Sequence, residues 1–302
     1  MYKSSKMQLQ EPKRKKHCKL VQDLSLPVIL KKDESLTKIT GYFNGFSVIV
    51  QDPDYMKIII SKGYFGKANF SRSYPQFSKT NQSKILRQRQ FLTRQIGTPT
   101  KFIHEKVIVV PDSDSDNEYF TNLRPKYEID YSGLQENIWL GLEEAFFLAN
   151  VVKCMDVKQN NEILPNNELW EIFKNTQPNF IINYIIYYYY RAKNWVVKPG
   201  IKFGGDFLLY SQGPPFCHAS YVIIIEVIDH HGLRIDSLTN RCMDNISILS
   251  LNRLCETSGK ELLICQIKWP KNGEINYEDL SNIEIHEILL RRWIASQERD
   301  DV

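Results

Sequence analysis

The stretch VVKPGIKFGGDFLLYSQGPPFCHASYVIIIEVI, Val196 to Ile228, decides the fold of the C-terminal half of the chain. Its two apolar runs are rich in β-branched and aromatic residues, which is typical of strands. Between them, the Gly-Pro-Pro break at 213–215 forces a tight reversal of the chain. The sequence therefore predicts two neighbouring strands, at 196–210 and 218–228.

The elements that follow extend this sheet. KELLICQIKW at 260–269 predicts a third strand, and the amphipathic stretch at 244–257 before it predicts a helix that stops at Ser258-Gly259. The run IEIHEILLRRWI, which starts at Ile283, fits a strand or a helix, and its alternation favours a strand. The C-terminal half is thus predicted to be a mixed-sheet α/β domain.

The N-terminal half mixes both kinds of element. GYFNGFSVIV at 41–50 is strand-like, and Asp54 is expected to cap a short helix that ends at Gly63. Apolar residues at helical spacing, and a proline suited to a first turn, predict three further helices: 142–154, 167–174 and 178–193.

The whole chain is predicted to belong to the α/β class. We expect a basic tail at 1–40, an N-terminal α+β domain at 41–182 and a C-terminal α/β domain at 183–302. A disordered, charged insertion is predicted at 78–130, because that segment lacks apolar periodicity. Charge is unevenly distributed along the N-terminal half. The segment between Ser61 and Lys106 contains ten Lys or Arg and a single acid. This basic block predicts either a segment that faces nucleic acid or a solvated linker.

Composition excludes several classes of protein. With 302 residues, 42% of them apolar, the chain can build a core, yet no apolar run approaches the roughly 18–20 residues that cross a bilayer. The polar N-terminus lacks the apolar stretch of a signal peptide, so an intracellular protein is expected. Lys13-Arg14-Lys15-Lys16 predicts a nuclear location, with the cytoplasm as the alternative. Six cysteines without C-x-x-C spacing favour neither structural zinc nor a disulfide framework.

Three side chains are expected at one end of the sheet. Tyr210 ends the first strand, His218 begins the second, and Lys260 begins the third after a helix that crosses back. No acidic pair with a lysine at the spacing of magnesium-dependent nucleases is found in the C-terminal domain, and no phosphate-binding G-x-x-x-x-G-K-[ST] loop occurs. Neither a metal nor another cofactor is predicted.

These three groups suit the cleavage of RNA by its own 2′-hydroxyl. That reaction needs a base for the 2′ proton, an acid for the departing 5′ oxygen and a cation for the developing charge. Histidine fits the acid and lysine the cation, whereas tyrosine fits the base only if the lysine charge lowers its pKa from about 10. Spacing alone leaves an alternative for each residue. The tyrosine could be a packing residue, the histidine a structural residue and the lysine a solvated strand end.

The run YYRAKNWVVKPGIKFGGDFLLYSQGPPFCHASYVIIIE, Tyr189 to Glu226, closely resembles the nuclease core of the tRNA-splicing endonuclease family. It looks most like the eukaryotic catalytic subunit that cuts the 5′ splice site. Similar segments also lie at 41–53, at 61–77, at 142–149, at 251–267 and in LLRRWIASQER at the C-terminus. The resemblance implies that residues 183–302 form a catalytic domain of the tRNA-intron endonuclease type.

The resemblance also implies roles for individual residues. Tyr210, His218 and Lys260 stand at the positions of the family's catalytic triad. Arg253 and Arg292 match positions that clamp a base by cation–π stacking, although Arg291 is adjacent to the second. The alternative for both arginines is an ordinary surface cation.

The implied activity is metal-independent cleavage of intron-containing precursor tRNA at the 5′ splice site. The products would be a 2′,3′-cyclic phosphate and a 5′-hydroxyl. Implied partners are the precursor tRNA, a second catalytic subunit and two structural subunits of a heterotetramer. The rival hypothesis is a catalytically silent structural or RNA-binding subunit of the same kind of complex.

Overall fold

The computed structural model describes residues 31–32, 35–36, 38–69, 106–109, 126–129 and 137–291, except 240, 242, 272 and 274. The basic run at 13–16, most of the basic block and Arg292 lie outside these residues. The chain forms two compact units, residues 1–67 with 138–302 and residues 68–137. The predicted domain boundary between 182 and 183 stays a prediction.

The N-terminal sheet has six strands in the order β10-β9-β3-β4-β8-β5. Its strands are β3 (Ile39–Phe43), β4 (Val48–Val50), β5 (Lys67–Ala68), β8 (Ile138–Leu140), β9 (Met155–Gln159) and β10 (Glu162–Ile163). Two short strands, β1 (Lys31–Lys32) and β2 (Ser35–Leu36), pair with each other before it. In the second unit, β6 (Lys106–Val109) and β7 (Lys126–Ile129) form an antiparallel pair within the predicted insertion.

The strand predicted at 41–50 is a hairpin of β3 and β4, which reverses through Gly45 at φ +98°. The next helix, α1 (Pro53–Ser61), is capped by Asp52, so the prediction of Asp54 as the cap is wrong. The Asp52 carboxylate accepts hydrogen bonds from the backbone N–H groups of Asp54 and Tyr55, at 2.8 and 3.2 Å. Such bonds satisfy the first donors of a helix.

Three helical segments follow, as predicted, with shifted bounds. Helix α2 (Leu142–Phe146) continues as a π-helix over Phe147–Val151, and α3 (Asn166–Thr176) and α4 (Phe180–Ala192) come next. Helix α4 starts two residues after Pro178, so that proline precedes the helix instead of opening it. Within the described residues, no helix is long and apolar enough to cross a membrane.

The tyrosine-rich helix α4 is a packing element. Its residues Tyr184, Tyr187 and Tyr190 are almost fully buried. Among the described residues, five rings lie with their centroids 5.0–6.4 Å from that of Phe146: Trp170, Phe173, Phe180, Tyr184 and Tyr277. Ring pairs at these distances add to the stability that area burial alone provides.

The C-terminal sheet has strand order β11-β12-β13-β14-β15, with β11 (Val196–Pro199), β12 (Phe207–Tyr210), β13 (Tyr221–Ile228), β14 (Glu261–Lys268) and β15 (Ile285–Leu290). Strands β13 and β14 are parallel, and the other pairs are antiparallel. Helix α5 (Asn245–Thr257) connects the parallel pair. The prediction of a mixed-sheet α/β fold is confirmed, and the run from Ile283 is a strand over Ile285–Leu290.

The single strand predicted at 196–210 is wrong, because β11 and β12 form a hairpin joined by a short 3-10 turn, Ile201–Phe203. A Cβ atom on Gly200 would lie 2.8 Å from the backbone of Phe207. Only glycine leaves room for the two strands to close at this point. A Cβ atom on Gly205 would lie 2.3 Å from the Val222 side chain and 2.8 Å from the Ile223 carbonyl oxygen, so this glycine allows the close approach of β13.

Candidate active site

The register of the C-terminal sheet places three residues in one transverse row. Leu209 pairs with Tyr221, and Tyr221 pairs with Glu261, so Tyr210, Ser220 and Lys260 stand next to one another across three adjacent chain segments. Neighbouring strands lie about 4.8 Å apart, so the backbones of Tyr210 and Lys260 are separated by roughly 10 Å. The structure therefore brings two of the three predicted catalytic residues to one end of the sheet.

Hydrogen bonds fix the centre of this row. The Ser220 N–H donates to the Leu209 carbonyl at 2.8 Å, and the Glu261 N–H donates to the Ser220 carbonyl at 3.0 Å. The Ser220 side-chain oxygen is buried and makes no hydrogen bond within the described residues. Sequence reasoning missed this residue, because only the register shows that it lies between Tyr210 and Lys260.

Tyr210 ends β12, as predicted, and is half-buried. It packs against an apolar cluster formed by Leu208, Ala219, Val222, Ile224, Cys255 and Leu262. Burial raises the pKa of Tyr210 above its ordinary value, and the neighbouring Cys217 raises it further. The expectation that the lysine charge lowers this pKa is therefore wrong, because desolvation disfavours the phenolate.

His218 is exposed, and it lies three residues before β13 and not at the start of that strand as predicted. The turn before it closes on Gly213, whose carbonyl accepts the N–H groups of Phe216 and Cys217 at 3.1 and 3.2 Å. Two residues after His218, the bond from Ser220 to Leu209 ties the chain to β12. The backbone of His218 is thus held between two anchored points at the end of the row.

Lys260 precedes β14 by one residue and is only 9% exposed. Its ammonium nitrogen donates to the Ser258 carbonyl at 3.0 Å and lies 4.0 Å from the centre of the Phe203 ring. Ser258 is the C-cap of α5, where helix carbonyls carry partial negative charge. A ring face and a helix end both attract an ammonium group. No sequence signal pointed to Phe203.

The structure describes one of the two predicted substrate-binding arginines. Arg253 is exposed on α5, the helix whose C-terminal end leads directly into Lys260. Arg292 lies outside the described residues. Its neighbour Arg291 follows β15 and makes an ion pair with Glu261 at 2.8 Å. This ion pair places the end of β15 beside the residue that follows Lys260.

Asp206 is tied into the sheet. Its carboxylate accepts the Ile225 N–H at 2.8 Å and pairs with Arg241 at 2.7 Å, while Arg241 also donates to the Gly204 carbonyl. These bonds connect the loop before α5 to the segment that carries Phe203.

The part of the chain that the structure describes also contains thiols and other side chains that can ligate metals. Among the described residues, no group of three or more His, Cys, Asp or Glu side chains could hold a metal ion. The four cysteines of the described part of the chain, Cys154, Cys217, Cys255 and Cys265, are buried and free. Burial raises the pKa of Cys154 and Cys255 to about 11 and that of Cys265 to about 12.

Comparison with known proteins identifies relatives of this domain. A family model described as tRNA intron endonuclease, catalytic C-terminal domain, matches residues 180–277. That range contains Tyr210, His218, Arg253 and Lys260.

Individual relatives agree with this match. The chain is 39% identical to tRNA-splicing endonuclease subunit Sen2 of Gallus gallus over 170 residues, which cover 55% of the chain and 36% of the relative. It is 30% identical to subunit Sen2-2 of Arabidopsis thaliana, over 54% of the chain and 63% of the relative. The probable subunit sen2 of Schizosaccharomyces pombe is 25% identical over 84% of the chain and 85% of its own length. The match thus spans about a third of the length of the vertebrate relatives.

Proposed function

We propose that the chain, whose residues 180–277 match the tRNA intron endonuclease family, cleaves intron-containing precursor tRNA at the 5′ splice site. The observation that carries this proposal is the row of Tyr210, Ser220 and Lys260, with His218 on the segment that leads into it. These groups can handle a proton and a negative charge at one place, and all of them lie within the matching domain.

The proposed reaction is an internal transfer at the scissile phosphate. The 2′-hydroxyl gives its proton to a solvent water and its oxygen attacks phosphorus, the bond from phosphorus to the 5′ oxygen breaks, and that oxygen takes a proton from His218. The products are a 2′,3′-cyclic phosphate and a 5′-hydroxyl. We assign proton donation to His218, because it is exposed and its ordinary pKa of about 6.5 suits acid catalysis near neutrality.

Lys260 is assigned to the negative charge that develops on the phosphate oxygens. Its burial against Phe203 and the Ser258 carbonyl reduces screening by water, which strengthens its attraction for an anion. The nucleophile belongs to the RNA itself, so a metal-activated water has no place in the proposed mechanism.

Tyr210 is a neutral phenol at neutral pH, since its pKa is raised. We therefore propose that it orients the 2′-hydroxyl by hydrogen bonding. If the phenolate were instead the base, the single-turnover rate would keep rising with pH beyond about 10, and Tyr210→Phe would abolish that rise. A rate that levels off at lower pH supports the hydrogen-bonding role.

The complex is proposed to be a heterotetramer with a second catalytic subunit and two structural subunits. A nuclear location is proposed from the basic run at 13–16, with the cytoplasm as the alternative. Alanine substitution of these four residues should move a tagged full-length chain from the nucleus to the cytoplasm. An unchanged distribution would contradict that proposal.

The decisive experiment assembles the chain with its partner subunits and an intron-containing precursor in excess EDTA. We expect a cyclic phosphate at the 5′ exon end, and no 5′ cut when the junction nucleotide is 2′-deoxy. Cutting of the deoxy substrate would show that water attacks. Absence of the 5′ cut from an assembled complex that binds the precursor would favour a catalytically silent structural or RNA-binding subunit.

A further inference from the structure

Tyr64 has an unusual backbone conformation at the end of α1. Its φ angle is +57°, and its N–H donates to the Ile60 carbonyl at 3.1 Å. This bond pattern ends a helix with a left-handed residue, a position that glycine usually occupies. A bulky aromatic residue in the left-handed region is strained, and such residues persist where the surroundings hold them.

The Tyr64 ring lies directly against the turn that leads to His218. A Cβ atom on Gly213 would lie 2.4 Å from the Cε2 atom of Tyr64, so the ring occupies the space where any side chain would stand. The ring also meets Phe216 edge to face, with centroids 6.2 Å apart. Tyr64 is only 7% exposed, so this contact is part of the protein's packing.

The contact falls at the residue that closes the turn. The Gly213 carbonyl accepts the N–H groups of Phe216 and Cys217, and His218 follows immediately. The φ angle of Gly213, +113°, is one that other residues rarely adopt. A shift of Gly213 would therefore move both hydrogen bonds and the histidine that they support.

We propose that Tyr64 is a positioning residue for His218, acting through Gly213 and Phe216. The inference rests on the proposed function where it concerns catalysis, and on the contacts alone where it concerns the turn. It assigns to the N-terminal segment a role in aligning the acid with the scissile phosphate. Misplacement by about 1 Å at a reacting group can cost on the order of 100-fold in rate.

The test compares Tyr64→Leu with Tyr64→Phe in the assembled complex, using single-turnover cleavage. Leucine removes the ring, and we expect a fall of roughly 10–100-fold in the 5′ cleavage rate with unchanged precursor affinity. Phenylalanine keeps the ring and should remain within about threefold of the wild type. In a His218→Ala background, Tyr64→Leu should have no further effect, because the group that it positions is absent.

The matched control is Phe65→Leu. Phe65 is equally buried, but it stacks on Phe147 and under Arg191. This variant should lower stability without changing the 5′ cleavage rate of the folded complex. Equal rate losses in Tyr64→Leu and Phe65→Leu would overturn the proposal, because they would indicate general destabilisation.

Hydrogen exchange provides a readout that does not depend on activity. Tyr64→Leu should speed exchange of the Phe216 and Cys217 amides, whose acceptor is Gly213, and Phe65→Leu should leave them unchanged. Unaltered exchange in Tyr64→Leu would overturn the role of the ring even if the complex is active. A wild-type complex that fails to cleave, with the exchange result as expected, would overturn the proposed function and leave the role of Tyr64 in the turn standing.

Discussion

Lys260 immediately precedes β14 and Lys268 ends it, so the two lysines mark opposite ends of one strand. Lys260 is buried, and it is held by the Ser258 carbonyl and the Phe203 ring. The Lys268 side chain is 38% exposed and makes a 2.8 Å ion pair with Glu284. A cleft of about 420 Å³ opens at the Lys268 end, lined by Trp269 among others.

The two ends of β14 differ in how far their lysine is buried. An exposed ion pair such as that of Lys268 contributes little to stability, and water screens its charge. Burial of a charged lysine costs free energy. A buried lysine at the end of a sheet is therefore a candidate functional residue. The end with the buried lysine is also the end that carries Tyr210 and His218.

The largest expected effect belongs to His218→Ala. Loss of one acid–base group should slow the 5′ cut by about 10²–10⁴-fold, while assembly and precursor affinity stay nearly normal, because His218 is exposed. The 5′ exon still joined to the intron should accumulate, with the 3′ exon released. Equal loss of both cuts would point to failed assembly, and loss of the 3′ cut alone would mean that the subunit assignment is wrong.

The direct test of the comparison is Lys260→Met against Lys268→Met. Removing the buried cation should slow the 5′ cut by about 10²–10³-fold, which is the range for one group that stabilises transition-state charge. Removing the exposed cation at the other end should change the rate by less than about twofold. Similar losses of cleavage rate in the two variants would show that the buried and the exposed lysine do not differ in their contribution to the 5′ cut.

Arg253→Ala should have an intermediate effect. If Arg253 stacks on a base, its loss removes about 1–3 kcal/mol, which corresponds to a single-turnover rate lower by roughly 5–150-fold. Assembly should be unaffected, since the side chain is exposed on α5. The same expectation holds for Arg292→Ala. Unchanged cleavage rates for both variants would indicate that Arg253 and Arg292 are ordinary surface cations.

Much of the fold could be predicted, because strands and helices follow local patterns of apolar residues. The hairpin inside 196–210 could not, since it depends on how closely Gly200 approaches Phe207. The cap of α1 was misplaced by two residues, although Pro53 suits the first helical position and so points to Asp52 as the cap.

The sequence predicted which residue types form the candidate site. It also predicted the end of the sheet at which Tyr210 and Lys260 lie. The electrostatics of the site could not be predicted, because the raised pKa of Tyr210 results from burial among residues distant in sequence. The contacts of Phe203 with Lys260 and of Tyr64 with Gly213 are likewise non-local. Sequence patterns predict contacts between residues that are close along the chain, whereas the residues that contact Lys260 and Gly213 come from other segments.

The smallest expected effect comes from the aromatic residues at the two ends of β14. Phe203→Leu removes the ring under Lys260, and a cation–π contact is worth about 0.5–2 kcal/mol, so the 5′ cut should slow by roughly 2–30-fold. Trp269→Leu, at the other end, should leave the single-turnover rate within about twofold. Phe203→Tyr keeps the ring face and should recover most of the activity. If Phe203→Leu cleaves at the wild-type rate, the ring fills space beside the lysine without holding its charge. If Phe203→Tyr is as slow as Phe203→Leu, packing and not the ring face sets the position of the ammonium group.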